Sequence, residues 1–358
     1  MFRTFHPDFN PFGTKQCFNF GFRAEQDIEK TMNDDLSNMN LSKEEKEALP
    51  LLIEEPDSPD CLALRQAAYR KAREMDGNRA YVWGGIGVDA RPCPESCDFC
   101  SLGEAWHLTP QKEQVLSTDE VCERAGFLSE QGAATIALRT TQHFGAERLA
   151  KLAEAVKSVI RPEIRLACNT GECTRAEIER LRRAGFSVSY HVVRLREGID
   201  TRMSPEKREE TLRAVNDAGM EVAFMVEPIG PEHTAREIVE RARLARQYHA
   251  VVIGGMARVP VKGTPLYPLG AISDARLACV CAFTRLCDSS AKLVCAHPPS
   301  VDVLRSGANV IVVEVASNPR DIPAVAANTF RGFSFPEARA LMSDAGLSFS
   351  NEYYRSQT

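Results

Sequence analysis

The sequence predicts a (β/α)8 TIM-type barrel preceded by an N-terminal helical extension. Three observations carry that expectation. Eight short apolar runs recur from about residue 80 onward, charged amphipathic segments of helical length lie between them, and the same punctuation repeats around each helix. The span from ~75 to ~325 matches the roughly 250 residues that such a barrel takes.

The apolar runs are YVWGGIGV from Tyr81, ATIALR from Ala134, IRLAC from Ile164, FSVSYHVV from Phe186, EVAFMV from Glu221, AVVIGGMARV from Ala250, AKLVC from Ala291 and NVIVVEV from Asn309. Each is short, near-continuously apolar and bounded by turn residues, as a strand buried on both faces would be. Thr118 opens one helical run, and Thr174 with Glu177 and Thr234 with Glu237 have capping-box spacing at two others. Gly132, Gly185, Gly219 and Gly307 each follow a helix and lead into a strand, where a left-handed cap belongs. Strand, loop, capped helix and glycine make a βα unit, and eight of them predict a closed or partly open barrel over residues 79–325.

Residues 41–78 are expected to form helices capping one end, and 326–358 a C-terminal helix and tail. Residues 1–40 lack clear periodicity and are expected to form an extension that packs on the barrel or orders in an oligomer. A net charge of −5 without a basic run gives no electrostatic reason for nucleic-acid binding. No apolar stretch approaches the ~20 residues of a membrane span. The N-terminus lacks the apolar core of a secretory signal, so a cytoplasmic protein is expected. Its twelve cysteines then stay reduced, which directs attention to metals.

Cys93, Cys97 and Cys100 stand in RPCPESCDFCSLG, on the loop after the first strand and therefore on the face where a barrel carries its chemistry. A structural zinc site wants a fourth Cys or His, and His107 is the nearest candidate. Three thiolates suit a [4Fe–4S] cluster in which one iron has no protein ligand and can bind a small molecule directly.

The Cys-x3-Cys-x2-Cys loop, with Phe99 just before the third thiol, resembles the radical S-adenosylmethionine (SAM) superfamily. CPESCDFCS, VKGTPLYPLGAISDARL from Val261 and GANVIVVEV from Gly307 resemble its biotin-synthase-like branch, which includes biotin synthase, methylornithine synthase and the radical enzyme of [FeFe]-hydrogenase maturation. The resemblance implies that Cys93, Cys97 and Cys100 ligate three irons and that SAM chelates the fourth. It also implies a small-molecule substrate and a reducing protein such as flavodoxin or ferredoxin, and leaves the oligomeric state open. Around SAM it implies Phe99, then Thr140, Thr141 or Gln142 in place of a Gly-Gly-Glu, Glu227 and Ile229 in VEPIGPEHT, Val261, and Arg194 on the carboxylate. The second cluster of biotin synthase is not expected, because Leu138, Cys168, Ala223 and Leu293 fall near its ligand positions and only Cys168 matches.

Cys168, ending the third strand, is thus a candidate radical quencher, sulfur-handling thiol or extra ligand, or a small buried hydrophobe. Cys295 beside His297 is a candidate for the pocket wall, and the remaining thiols read as packing or inert. Arg139, Arg194 and Arg258 end the second, fourth and sixth strands and point either to an anionic substrate or to ion pairs with Glu197 or Glu227. His143 and His191 are candidate proton donors or structural histidines. The expected function is hydrogen abstraction from a small, anionic metabolite of amino-acid or cofactor biosynthesis, with rearrangement favoured. The alternatives are sulfur insertion and a non-enzymatic zinc or iron–sulfur barrel.

Overall fold

The computed structural model describes residues 55–109, 112–288, 290–316, 330–331 and 333–352, together with Lys43 and Leu52. The expected extension over 1–40 and most of residues 41–54 lie outside the described residues.

The barrel strands are β1 (Arg79–Gly87), β4 (Thr135–Arg139), β5 (Arg165–Asn169), β6 (Phe186–Tyr190), β7 (Glu221–Ala223) with β8 (Val226–Ile229), β9 (Val252–Ala257), β10 (Leu293–His297) and β11 (Val310–Ala316). Two-residue strands β2 (Asp89–Ala90) and β3 (Gln114–Val115) form a ribbon after β1. Neighbours in the barrel run parallel, and β11 pairs back onto β1 from Tyr81↔Val310 to Gly87↔Ala316, so the barrel is closed rather than partly open. All eight apolar runs became strands. The fifth is broken at Phe224 and Met225 into β7 and β8, both of which reach β9. Short β12 (Phe330–Arg331) pairs antiparallel to β11, and β13 (Ser348–Ser350) extends the sheet beside the start of β1.

Helices α1 (Pro59–Asp76), α2 (Thr118–Gln131), α3 (Ala146–Lys157), α4 (Arg175–Ala184), α5 (Pro205–Asp217), α6 (Ala235–Gln247), α7 (Asp274–Cys287), α8 (Val301–Leu304) and α9 (Phe335–Asp344) surround the strands. Both predicted capping boxes are present, and Ser117 with Glu120 and Ser334 with Glu337 make two more. Thr118 is therefore the first helical residue and Ser117 the cap, because the serine hydroxyl accepts the Glu120 N–H. Gly132 (φ 94°) and Gly185 (φ 111°) take the left-handed cap that a Cβ would strain. Helix α1 is the described part of the expected cap. It packs on α7, and Ala68 meets Gly307 in the loop leading into β11, which places the helix at the barrel's N-terminal end.

Side chains alternate along each strand, so every second residue faces the lumen. Trp83, Ala137, Ala167, Val188, Met225 and Cys295 are among those that fill it. Above this apolar layer the lumen opens at the C-terminal ends of the strands. Among the described residues no helix is long and apolar enough to cross a membrane.

Candidate active site

The three-cysteine loop folds back on itself. Cys93 N–H donates to Leu102 O (2.7 Å), Cys100 N–H to Cys97 O (2.9 Å) and Glu104 N–H to Cys93 O (3.0 Å). Trp106 Nε1 closes the turn by donating to Cys97 O at 3.2 Å. Gly103 has no room for a side chain, since a Cβ there would stand 2.4 Å from Trp106 Nε1. Cys97, Cys100, Leu102 and Met203 form one buried apolar cluster, with Cys93 and Phe99 packed against it. None of the three is in a disulfide. Burial, reinforced by Cys100 and Cys93 and opposed by Arg194, pushes the Cys97 thiol up to about 12. Three thiolates gathered this way need a cation among them. A single tetrahedral ion draws sulfurs close, with bonds of about 2.3 Å. Among the described residues these thiols do not form a set with all ligand atoms within 4.8 Å, whereas Asp200, Glu232 and His233 do. Three thiols suit a multi-iron cluster with one open iron better than a closed tetrahedral zinc site, which takes four protein ligands.

Beneath the loop lies a cavity of about 1320 Å³, counting the space at its mouth. Of the residues expected around SAM, Phe99, Thr140, Thr141, Arg194 and Glu227 line it. Gln142, Ile229 and Val261 do not. Gln142 Nε2 is turned to Glu172, while Ile229 and Val261 are 1% and 2% exposed within the packing around the barrel. The Thr141 hydroxyl and N–H both donate to the Asp89 carboxylate, the latter at 2.8 Å, so Thr141 shapes the wall through Asp89. Asp89 also lines the cavity, and burial raises its pKa although the Thr141 hydrogen bonds oppose the shift. Nothing in the residue pattern singled out Asp89.

Cys168 is not at the lumen. Its neighbours Ala167 and Asn169 face inward, so Cys168 points to the helices, fully buried, with Sγ donating to Val188 O at 3.6 Å. Burial pushes its pKa up to about 11. Its register partner Leu138 faces outward with it. The expectation placed Cys168 by its position along the strand and took no account of the alternation. Cys295 and His297, by contrast, both line the cavity as expected.

The strand-end arginines are not free cations. Arg139 pairs with Glu314. Arg258 makes a two-pronged pair with Glu232, Nη2 to Oε2 at 3.0 Å. Arg194 Nε lies 3.6 Å from Glu227, and its Nη1 lies 3.8 Å from Glu197. Desolvation works against the Arg194 charge, but Glu197 and Glu227 outweigh it and hold the guanidinium protonated. Tyr190 O–H donates to Glu227 Oε2, and burial followed by that carboxylate raises the phenol pKa well above its usual value. Trp83 Nε1, Arg139 Nε and Arg194 Nη1 are buried donors with no hydrogen-bond acceptor among the described residues. The lumen therefore offers donors to a ligand while its formal charges are largely balanced. His191 is buried and off the cavity, and desolvation followed by Arg208 and Arg194 keeps it neutral. His143 Nε2 lies 3.3 Å from Glu95 on the exposed rim.

Residues 90–245 match the family model described as the radical SAM superfamily. The biotin synthase of Rhodopirellula baltica is 29% identical over 184 residues, 49% of this chain and 50% of that one. The biotin synthase of Paramagnetospirillum magneticum is 27% identical over 255 residues, 68% of this chain and 74% of that one. Over the first two matches, this chain spans about half the length of the curated relatives. The crystal structure of methylornithine synthase superposes with a TM-score of 0.70 at 17% identity, covering 89% of this chain and 96% of that chain. That of HydG, a maturase of the [FeFe]-hydrogenase, superposes at 0.68 with 16% identity, covering 92% and 77%. At such identities these structures show the shared barrel.

Proposed function

We propose that this chain, whose residues 90–245 match the radical SAM family model and whose similar proteins include biotin synthases, is a radical SAM enzyme of the biotin-synthase-like branch that reductively cleaves SAM to abstract hydrogen from a small metabolite. The observation that carries the reading is the position of Cys93, Cys97 and Cys100, three thiols outside any disulfide and gathered at one apolar cluster above a closed lumen. These thiols would hold a [4Fe–4S] cluster with one iron left open to SAM. Bound there, the pair supplies a carbon radical strong enough to take hydrogen from an unactivated C–H bond. Phe99 and Thr140 wall the space between the thiols and the lumen, with Thr141 backed by Asp89. Arg194, held protonated by Glu197 and Glu227, still has Nη1 without a hydrogen-bond acceptor among the described residues and offers it to the SAM carboxylate.

The metabolite belongs to amino-acid or cofactor biosynthesis. Its polar groups meet Trp83 Nε1 and Arg139 Nε, while Met225, Met256 and Cys295 enclose its apolar part. The case for an anionic substrate rested on uncompensated arginines, and their carboxylate partners remove it. Rearrangement is favoured over sulfur insertion, because no second set of thiols faces the lumen among the described residues. The third reading, a non-enzymatic zinc or iron–sulfur barrel, is disfavoured because the three thiols stand over a large cavity at the C-terminal ends of the strands. The reductant is a protein of the flavodoxin or ferredoxin class, and the enzyme works in the cytoplasm.

Anaerobic reconstitution with iron and sulfide, followed by dithionite and SAM, should release methionine and 5′-deoxyadenosine. A chain that assembles the cluster yet releases no 5′-deoxyadenosine sinks the proposal.

A further inference from the structure

Three arginines and three carboxylates line the cavity: Arg139, Arg194 and Arg258, with Asp89, Glu227 and Glu314. Each arginine meets a carboxylate, Arg139 at Glu314, Arg194 at Glu227, and Arg258 at Glu232, which does not line the cavity. Glu227 and Glu314 are thus matched, and Asp89 is left over. Among the described residues Asp89 makes no ion pair, and its side-chain hydrogen bonds come from Thr141. Arg91 is the cation that acts on it, and Glu113 acts on it more strongly in the opposite sense. Arg91 is itself engaged, with Nη1 3.9 Å from Glu113, which also meets Arg148 Nη1 at 3.4 Å.

Burying a carboxylate without a countercharge is costly, and Asp89 is only 4% exposed. The fold nevertheless holds it in place. Strand β2 pairs with β3 at Asp89↔Val115, Thr141 N–H donates to Oδ1 at 2.8 Å, and the Thr141 hydroxyl donates to Oδ2. Those two hydrogen bonds favour the ionised form against desolvation. Each carboxylate oxygen spends one acceptor position on Thr141 and keeps capacity for another donor. Phe99 and Leu102 of the thiol-bearing loop line the same cavity, and Asp89 precedes Cys93 by four residues. A held, buried and unmatched anion in the wall of a ligand cavity calls for a cation from the ligand.

The same contacts narrow the chemistry of that cation. Among the described residues Asp89 belongs to no group of three metal-ligating side chains with atoms within 4.8 Å of one another, which disfavours a metal ion. Thr141 already takes both carboxylate oxygens, so a compact ammonium matches what remains better than the two-pronged contact of a guanidinium. We propose that Asp89 anchors a primary ammonium in the cavity, brought by SAM or by the metabolite that gives up hydrogen. The anchor follows from the charge balance of the cavity, and the two sources rest on the proposed function.

The test uses the full chain reconstituted with iron and sulfide, without reductant so that SAM stays intact. Kd is read by calorimetry for SAM and methylthioadenosine, and by ligand-observed NMR for two size-matched probes, 1-aminopentane and pentanoate, with and without SAM. If SAM brings the ammonium, Asp89→Asn raises the Kd for SAM at least fivefold. The Kd for methylthioadenosine, which lacks the amino-acid part, then stays within twofold. If the metabolite brings it, wild type binds 1-aminopentane at least fivefold tighter than pentanoate, and Asp89→Asn cuts that preference below twofold. Any other outcome overturns the inference, including an equal rise for SAM and methylthioadenosine. Should Asp89→Asn lose its iron or unfold, Asp89→Ser, which keeps a hydroxyl for Thr141, is read against the same thresholds. A wild type that binds no SAM yet prefers 1-aminopentane through Asp89 fails the proposed function and keeps the inference. A wild type that cleaves SAM with Asp89 indifferent to every probe does the reverse.

Discussion

Arg139 and Glu314 pair across the strand that separates them. They lie on β4 and β11, on either side of β1, and meet over Gly85, whose missing side chain leaves the space for the contact. A Cβ at Gly85 would stand 3.6 Å from both Arg139 Nε and Glu314 Cγ, an ordinary van der Waals distance. Gly85→Ala should therefore fold and retain SAM cleavage. Gly85→Leu should still bind iron but lose SAM cleavage at least tenfold, because its branch fills the lumen where the pair now stands. Iron content and 5′-deoxyadenosine release distinguish the two effects.

Cys93→Ala, Cys97→Ala and Cys100→Ala should each reduce iron well below the roughly four atoms per chain of a full cluster, with loss of the absorbance near 400 nm. Two thiolates hold a four-iron cluster poorly. Full iron retention in any of the three would show that its thiol is not a ligand.

Cys168 and Cys295 should behave oppositely. Cys168 faces the helices, so Cys168→Ala should cost about 1–2 kcal/mol of stability and leave both cluster and turnover intact. Cys295 lines the cavity, so Cys295→Ala enlarges the lumen beside Met225 and Met256 and should lower substrate turnover more than SAM cleavage. Denaturant titration with paired assays of 5′-deoxyadenosine and product checks both.

Glu237 supplies a pH prediction. Desolvation raises its pKa, but hydrogen bonds from Arg196, the Thr234 N–H and the Thr234 hydroxyl outweigh that and lower it overall. A carboxylate with a depressed folded pKa adds stability above its unfolded value of about 4.3, and that contribution is lost as pH falls through the folded value. Between pH 6 and pH 3, Glu237→Gln should thus lose less stability than wild type, read as a smaller fall in Tm. An identical fall would mean that the capping pair adds nothing.

The sequence by itself determined the eight strands, the capping boxes at Thr174 and Thr234, the position of the three-thiol loop and the chemistry those thiols invite. These features are local: strand and cap are written in a few consecutive residues, and thiol spacing is read without a fold. Only the tertiary structure decided which side of each strand faced inward. It turned Cys168 out and Cys295 in, although both lie in barrel strands, because neighbouring residues on a strand point to opposite faces. It also decided charge. Along the chain Arg139, Arg194 and Arg258 point equally to an anionic ligand or to ion pairs; the fold chose the pairs, Arg194 with Glu197 and Glu227 as one of those readings had it, Arg139 with Glu314 and Arg258 with Glu232. Asp89 took its place in the cavity wall through Thr141, a residue 52 positions away, and closure between β11 and β1 joined the two ends of the barrel. Partners so distant in sequence are chosen by packing, and no local pattern of residues records that choice.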